Sequence, residues 1–346
     1  MPKAEPVGVI GAGTFGTAMA NLLARNTDVL VYSRNPELTE RLNRERFRFG
    51  VPLNARIRLV NDFAEVADRC QLILPIVPSD KFRDMMQSIT DHLRPSHVLI
   101  HGTKGLDVTG LDERHIPTTG IERKNVHTMT DVIRQESVVV RVGALTGPNL
   151  ARELLDGQPS ASVIASKFDE VINRAKLVLK SKQLHVFGTH DLLGAELAGV
   201  LKNVIALGSG ILKGVGLGKN IQAMLITRGL VEMVHFGQAL GSDKRAFFGT
   251  AGIGDLIATA TSKKSRNYMF GYRIGSGESL EEVTATSQEL AEGVRTLMIT
   301  RHLARSLRLR VPITEMLYQI VFERYPVDEA MNYLITYPYD VDVDFL

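Results

Sequence analysis

Residues 7–32 read VGVIGAGTFGTAMANLLARNTDVLVY: a short apolar run, a glycine-rich turn, a segment with apolar positions at helical spacing, and a second apolar run. That order is strand, turn, helix, strand, a β-α-β unit whose crossover is right-handed in nearly all proteins. It commits the start of the chain to a parallel sheet. Gly11, Gly13 and Gly16 occupy the turn. In this context the first glycine permits the tight turn, the second lets backbone approach a pyrophosphate, and the third lets the helix pack closely on the sheet. The other reading is a glycine-rich turn that holds no ligand.

Further apolar runs at Leu72–Val77, His97–Ile100, Val138–Val142, Ala161–Ala165 and Leu184–Phe187 alternate with helical patterns such as Asp80–Leu93 and Phe168–Lys180. Alternation of this kind predicts an α/β fold with an N-terminal Rossmann-type, doubly wound, mostly parallel sheet. The stretch Arg41–Arg58 has no clean period and reads as a helix end and a loop over the nucleotide region. Beyond His190 strand signals stop, and Asp191–Lys213, Asn220–Leu240, Gln288–Ser306 and Pro312–Tyr325 all carry helical periodicity. The expectation is a dinucleotide-binding domain over 1–190 and an all-helical, substrate-binding domain over 191–346.

Composition narrows the partners. The 41 basic and 38 acidic side chains leave a net charge of +3, too balanced for a nucleic-acid or membrane surface. Cys70, the single cysteine, allows no intramolecular disulfide and suits a reducing compartment. MPKAEPVGVIGAG lacks the regions of a secretory signal, and no uninterrupted apolar run reaches the roughly 18 residues of a membrane span. A cytoplasmic protein without membrane insertion is expected, with a homodimer plausible for the helical domain. No residue pattern points to a metal.

Where a site selective for NAD places a carboxylate, at the end of the second strand, this chain has Ser33 and Arg34. An arginine there can pair with a 2′-phosphate, which favours NADP over NAD, unless Arg34 is only a solvated loop charge. In ELAGVLKNVIALGSGILKGVGLGKN, Lys202 is the lysine inside an otherwise apolar, small-residue helix. Burial would lower its pKa from about 10.4, toward a range where it can donate and accept a proton. A positioned ammonium would stabilise and protonate the alkoxide left by hydride transfer to a carbonyl. It could equally snorkel to the surface.

Asp255 follows a glycine pair and could hold Lys202 or act as an N-cap. Ser265, capping a helix, with Arg266 and Asn267 would form a compact anion site that fits a phosphate. A polar loop capping an ordinary helix is the bland alternative. Lys104 lies in a glycine-flanked turn after a predicted strand, and Gly147, Pro148, Asn149 and Ala151 join another strand to a helix start.

Taken together, the ordered blocks GVIGAGTFGTAMA, ILPIVPSDKFRDMM, HGTKGLD, LTGPNLARE, LKNVIALGSGILKGVGLGKN and GDLIATATSKKSRNYMFG, followed by ELAEGVRT, resemble the NAD(P)-dependent glycerol-3-phosphate dehydrogenase family over nearly the whole length. The resemblance implies reversible hydride transfer between NAD(P)H and dihydroxyacetone phosphate, feeding glycerophospholipid synthesis. It implies Lys202 as proton donor and acceptor and Lys104 between nicotinamide and substrate, with Asp255 the third catalytic candidate. Substrate contacts are implied for Lys104, Gly147, Asn149, Lys202, Asp255, Ser265, Arg266 and Asn267. Cofactor contacts are implied for Thr14, Phe15, Arg34, Lys104, Ala151, Arg266 and Glu292, besides the three glycines. Thr14 and Phe15 stand where many relatives carry serine or tryptophan. Residues 111–136 and the tail PYDVDVDFL are less family-like. A hydroxy-acid dehydrogenase of related fold and a non-catalytic NADP-binding redox sensor are the competing functions.

Overall fold

A computed structural model of the chain describes residues 5–287 and 291–337. The chain divides into two compact units, Met1–Asp107 with Thr128–Leu192, and Val108–His127 with Leu193–Leu346. Residues 108–127, expected inside the first domain, group instead with the helical unit. The cause is a set of long-range contacts: Glu113 accepts from the Arg295 guanidinium (2.8 Å from Nε), and the short Ile116–Thr119 helix packs on the Glu292–Ser306 helix.

The first unit is built on eight strands: β1 (Val7–Ile10), β2 (Val29–Tyr32), β3 (Ile57–Val60), β4 (Leu72–Pro75), β5 (Val98–His101), β6 (Arg141–Thr146), β7 (Ser160–Ala165) and β8 (Leu184–Thr189). Their order in the sheet is β8-β7-β6-β5-β4-β1-β2-β3. Every neighbouring pair is parallel except β6 with β7. Strands β1, β4 and β5 are buried at every residue, as a parallel sheet covered on both faces requires.

Two sequence expectations are corrected here. The stretch Arg41–Arg58 holds the end of the Pro36–Glu45 helix, a small Phe47–Pro52 hairpin and the start of β3. In β3 the exposed Arg58 interrupts IRLV, so this strand presents no unbroken apolar run in the sequence. The run at Val138–Val142 also begins too early, because Val138 and Val140 are exposed and pairing starts at Arg141. Cys70 is buried, and burial pushes its thiol up to about 12, so it is held protonated and unreactive.

The second unit is organised around the Leu192–Gly214 helix. Its most apolar 18-residue window has a mean hydropathy of 1.4, long and apolar enough to cross a membrane, yet all of that window is buried within the protein. It reads as a core helix. Glu232, on the Lys219–Ala239 helix, is buried and accepts from the N–H groups of Ile313 and Thr314, capping the Pro312–Glu323 helix from a distance. Burial outweighs those bonds and raises its pKa from 4.5 to about 7.

His302, on the Glu292–Ser306 helix, is also buried, and burial together with the Arg301 and Arg305 charges lowers its pKa to about 4 against the pull of Glu315. The unfolded imidazole titrates near 6.5, so the native state binds fewer protons between pH 6.5 and 4. Stability from this group is complete above 6.5 and is lost as the pH falls through that window, roughly 3 kcal/mol in all. Glu232 tilts stability the opposite way, between about 4.5 and 7. Melting temperatures from pH 7 to 4 should therefore decline less steeply in His302→Gln than in the parent. Identical slopes would remove His302 from the account.

Candidate active site

In the first unit the Thr14–Leu23 helix begins at Gly13, with no side-chain cap and no acidic residue in its first turn. Gly11 adopts φ +111°, and a Cβ there would lie 2.2 Å from the Ile76 carbonyl oxygen; a Cβ at Gly16 would lie 2.0 Å from that of Gly11. Fold geometry alone demands those two glycines. Gly13 differs, because a Cβ would meet nothing within 4 Å. Its bare backbone faces open space at the positive end of a helix, the arrangement that accepts a pyrophosphate. The residues present therefore fit a dinucleotide. Phe15 packs half-buried on the core beside Gly102, and Thr14 is the first helical residue.

At the end of β2, the buried Ser33 hydroxyl accepts from the Asn35 N–H, and Asn35 caps the Pro36–Glu45 helix. Arg34 between them is exposed, and among the described residues no carboxylate pairs with it. After β5, Lys104 donates from Nζ to the Gly147 carbonyl at 2.9 Å. Gly147 takes φ +109° as the chain leaves β6. The buried Asn149 amide donates to the Thr146 carbonyl at 3.0 Å and accepts from the Ser162 hydroxyl at 2.8 Å, which locks it. Lys104, Gly147 and Asn149 are thus gathered where β5 and β6 end, and Ala151 opens the following helix.

In the second unit Lys202 is buried, not snorkelling. Its Nζ lies 2.9 Å from Asp255 Oδ1 and donates to the Thr259 hydroxyl, and Thr259 in turn donates to the Asp255 backbone carbonyl at 2.7 Å. Asp255 is the first residue of the Asp255–Ala260 helix, with Gly254 as N-cap, so it serves as the partner of Lys202. Thr259 was missed from the sequence, though it stands one turn after Asp255 and hence on the same face.

Ser265 caps the Arg266–Gly275 helix, accepting from the Tyr268 N–H at 3.3 Å. Arg266 is exposed at that helix start, while Asn267 is buried. Asn267 donates to the Asn203 side chain at 2.9 Å and accepts from the Gly293 N–H at 2.8 Å. Glu292 opens the Glu292–Ser306 helix beside that glycine. Asn203, adjacent to Lys202, thereby ties the Ser265–Asn267 helix start to the lysine helix. Among the described residues no group of three or more His, Cys, Asp or Glu is placed to hold a metal.

Compared with known proteins, residues 6–172 match the N-terminal part, and residues 191–332 the C-terminal part, of the family described as NAD-dependent glycerol-3-phosphate dehydrogenase. The chain belongs to that family. The NAD(P)+ glycerol-3-phosphate dehydrogenase of Azotobacter vinelandii is 38% identical over 347 residues, covering 99% of this chain and 97% of its own. The Pseudomonas putida glycerol-3-phosphate dehydrogenase is 37% identical over 351 residues, covering 100% and 98%. The crystal structure of the Coxiella burnetii glycerol-3-phosphate dehydrogenase superposes with a TM-score of 0.86 at 27% identity, covering 96% of this chain and 99% of that one.

Proposed function

We propose that this chain interconverts dihydroxyacetone phosphate and sn-glycerol 3-phosphate with NAD(P)H, acting in the cytoplasm. One observation carries the reading: a buried ammonium, Lys202, anchored by a buried carboxylate and a hydroxyl. A lysine in that setting is costly to fold, and it is suited to hold and release a proton at the C2 oxygen of a ketone. The bound nicotinamide supplies the hydride chemistry. Asp255 and Thr259 aim Lys202. The first-turn N–H groups after Ser265, the Arg266 guanidinium and the Asn267 amide take the phosphate. Lys104, steered by the Gly147 carbonyl, adds positive charge for substrate and cofactor.

The uncapped Gly13 helix start takes the pyrophosphate, and Arg34 takes a 2′-phosphate where an NAD-selective site needs an acid. NADP is therefore the favoured cofactor. The test is absorbance at 340 nm on purified protein with dihydroxyacetone phosphate and either NADPH or NADH. Oxidation that requires the phosphorylated ketone, faster with NADPH, is expected. Nucleotide binding without oxidation would replace this reading with the hydroxy-acid or sensor functions.

A further inference from the structure

Seven arginines lie from Arg34 to Arg58, and three are occupied: Arg46 clamps the carbonyls of Ile57 and Asn54, Arg58 pairs with Glu65, and Arg44 lies 3.8 Å from Glu45. Arg41 and Arg48 are different. Among the described residues neither pairs with a carboxylate, and the same holds for Arg152. Arg48 Nε is closed off from solvent with no hydrogen-bond partner. Burial and the Arg41 charge both lower the pKa of Arg48, so the two cations repel each other.

The backbone beside them is strained. Phe49, at the hairpin tip, takes φ +50°, a left-handed conformation rarely adopted by an aromatic residue. Its ring lies 4.5 Å from the Arg48 guanidinium and 5.8 Å from that of Arg152, and its carbonyl accepts from Arg152 Nη1 at 3.3 Å. Arg152 directly follows Ala151, a proposed cofactor contact. A shielded donor without an acceptor, cations facing cations and a strained tip are features that an arriving anion relieves together.

We infer that Arg41, Arg48 and Arg152, around the Phe47–Pro52 hairpin, form a phosphate-binding site additional to Arg34. Its ligand is a phosphate monoester, carried either by a bound dinucleotide or by a free phosphorylated metabolite. Guanidinium forks suit such a group through paired N–H donors, which a lysine cannot reproduce.

The experiment uses the full chain carrying Arg266→Ala, which disables the proposed substrate phosphate site, and titrates inorganic phosphate by calorimetry. Phosphate should bind this protein. Adding Arg48→Ala or Arg41→Ala should weaken it at least tenfold, Arg48→Lys by less, and Arg44→Ala not at all. Fluorescence titration with NADPH and NADH identifies the source. A tenfold loss for NADPH alone in Arg48→Ala means the phosphate belongs to the dinucleotide, and no loss for either means a free ester. Absent phosphate binding, or binding unchanged by Arg41→Ala and by Arg48→Lys and Arg48→Ala, overturns the inference. Should Arg48→Ala not fold, Arg48→Lys and Arg41→Ala decide alone. A failed dehydrogenase assay would leave this result standing, because it is read from binding and not from turnover.

Discussion

Lys202→Ala should lower kcat for dihydroxyacetone phosphate by about a thousandfold, within the range general acid catalysis contributes, while nucleotide affinity changes little. The glycine turn belongs to the other unit, so nucleotide binding, followed by fluorescence, reports that unit independently. Lys202→Ala also leaves Asp255 buried without its cation, a change that costs about 3–5 kcal/mol in comparable pairs. Lost activity could then be mistaken for lost folding. Lys202→Ala with Asp255→Asn removes the orphaned charge and should recover melting temperature without recovering kcat. Lys202→Arg separates charge from proton transfer, because a guanidinium stays protonated at any working pH; it should stay near the alanine rate. A kcat within threefold of the parent in Lys202→Ala would end the assignment.

The middle of the parallel sheet could be read from the chain because β1, β4 and β5 are buried on both faces and appear as unbroken apolar runs. β3 escaped because Arg58, turned to solvent, breaks its four-residue apolar run. Residues 108–127 escaped for another reason. Their membership of the helical unit rests on contacts such as Glu113 with Arg295, far apart in sequence, and no local period encodes such a pairing.

For the site, residue type and position in the motifs were sufficient to single out Lys202 and Asp255, but not to show that they pair. The motif GAGTFG assigns its glycines separate tasks, and the structure agrees: Gly11 and Gly16 are pressed against backbone while Gly13 faces open space. Asn203 and Asn267 lie 64 positions apart, and what joins them is a feature of helix packing that a one-dimensional reading passes over.

That feature is a ladder of close approaches. A Cβ at Gly271 would lie 1.9 Å from the Leu207 carbonyl oxygen, and one at Gly275 would lie 2.2 Å from that of Ile211; a Cβ at Gly210 would lie 2.0 Å from the Tyr268 carbonyl oxygen. Positions 207 and 211 advance by four as 271 and 275 do, and one rung earlier come Asn203 and Asn267. The hydrogen bond between these asparagines is thus the end of a zipper that glycine makes possible. Gly271→Ala would force the backbones apart at the tightest rung, where neither side has a flexible atom to yield. The cost should be about 3 kcal/mol, or roughly 6–12 °C in melting temperature for a unit of this size. Because the shift propagates to Asn267 and the Ser265 cap, KM for dihydroxyacetone phosphate should rise about tenfold at a kcat still set by Lys202. Gly218→Ala is the control, since a Cβ there meets nothing within 4 Å; it should melt within about 2 °C of the parent. If Gly271→Ala behaves like that control, the helices are free to slide, and the helix start proposed to bind phosphate is held in place by something other than its glycines.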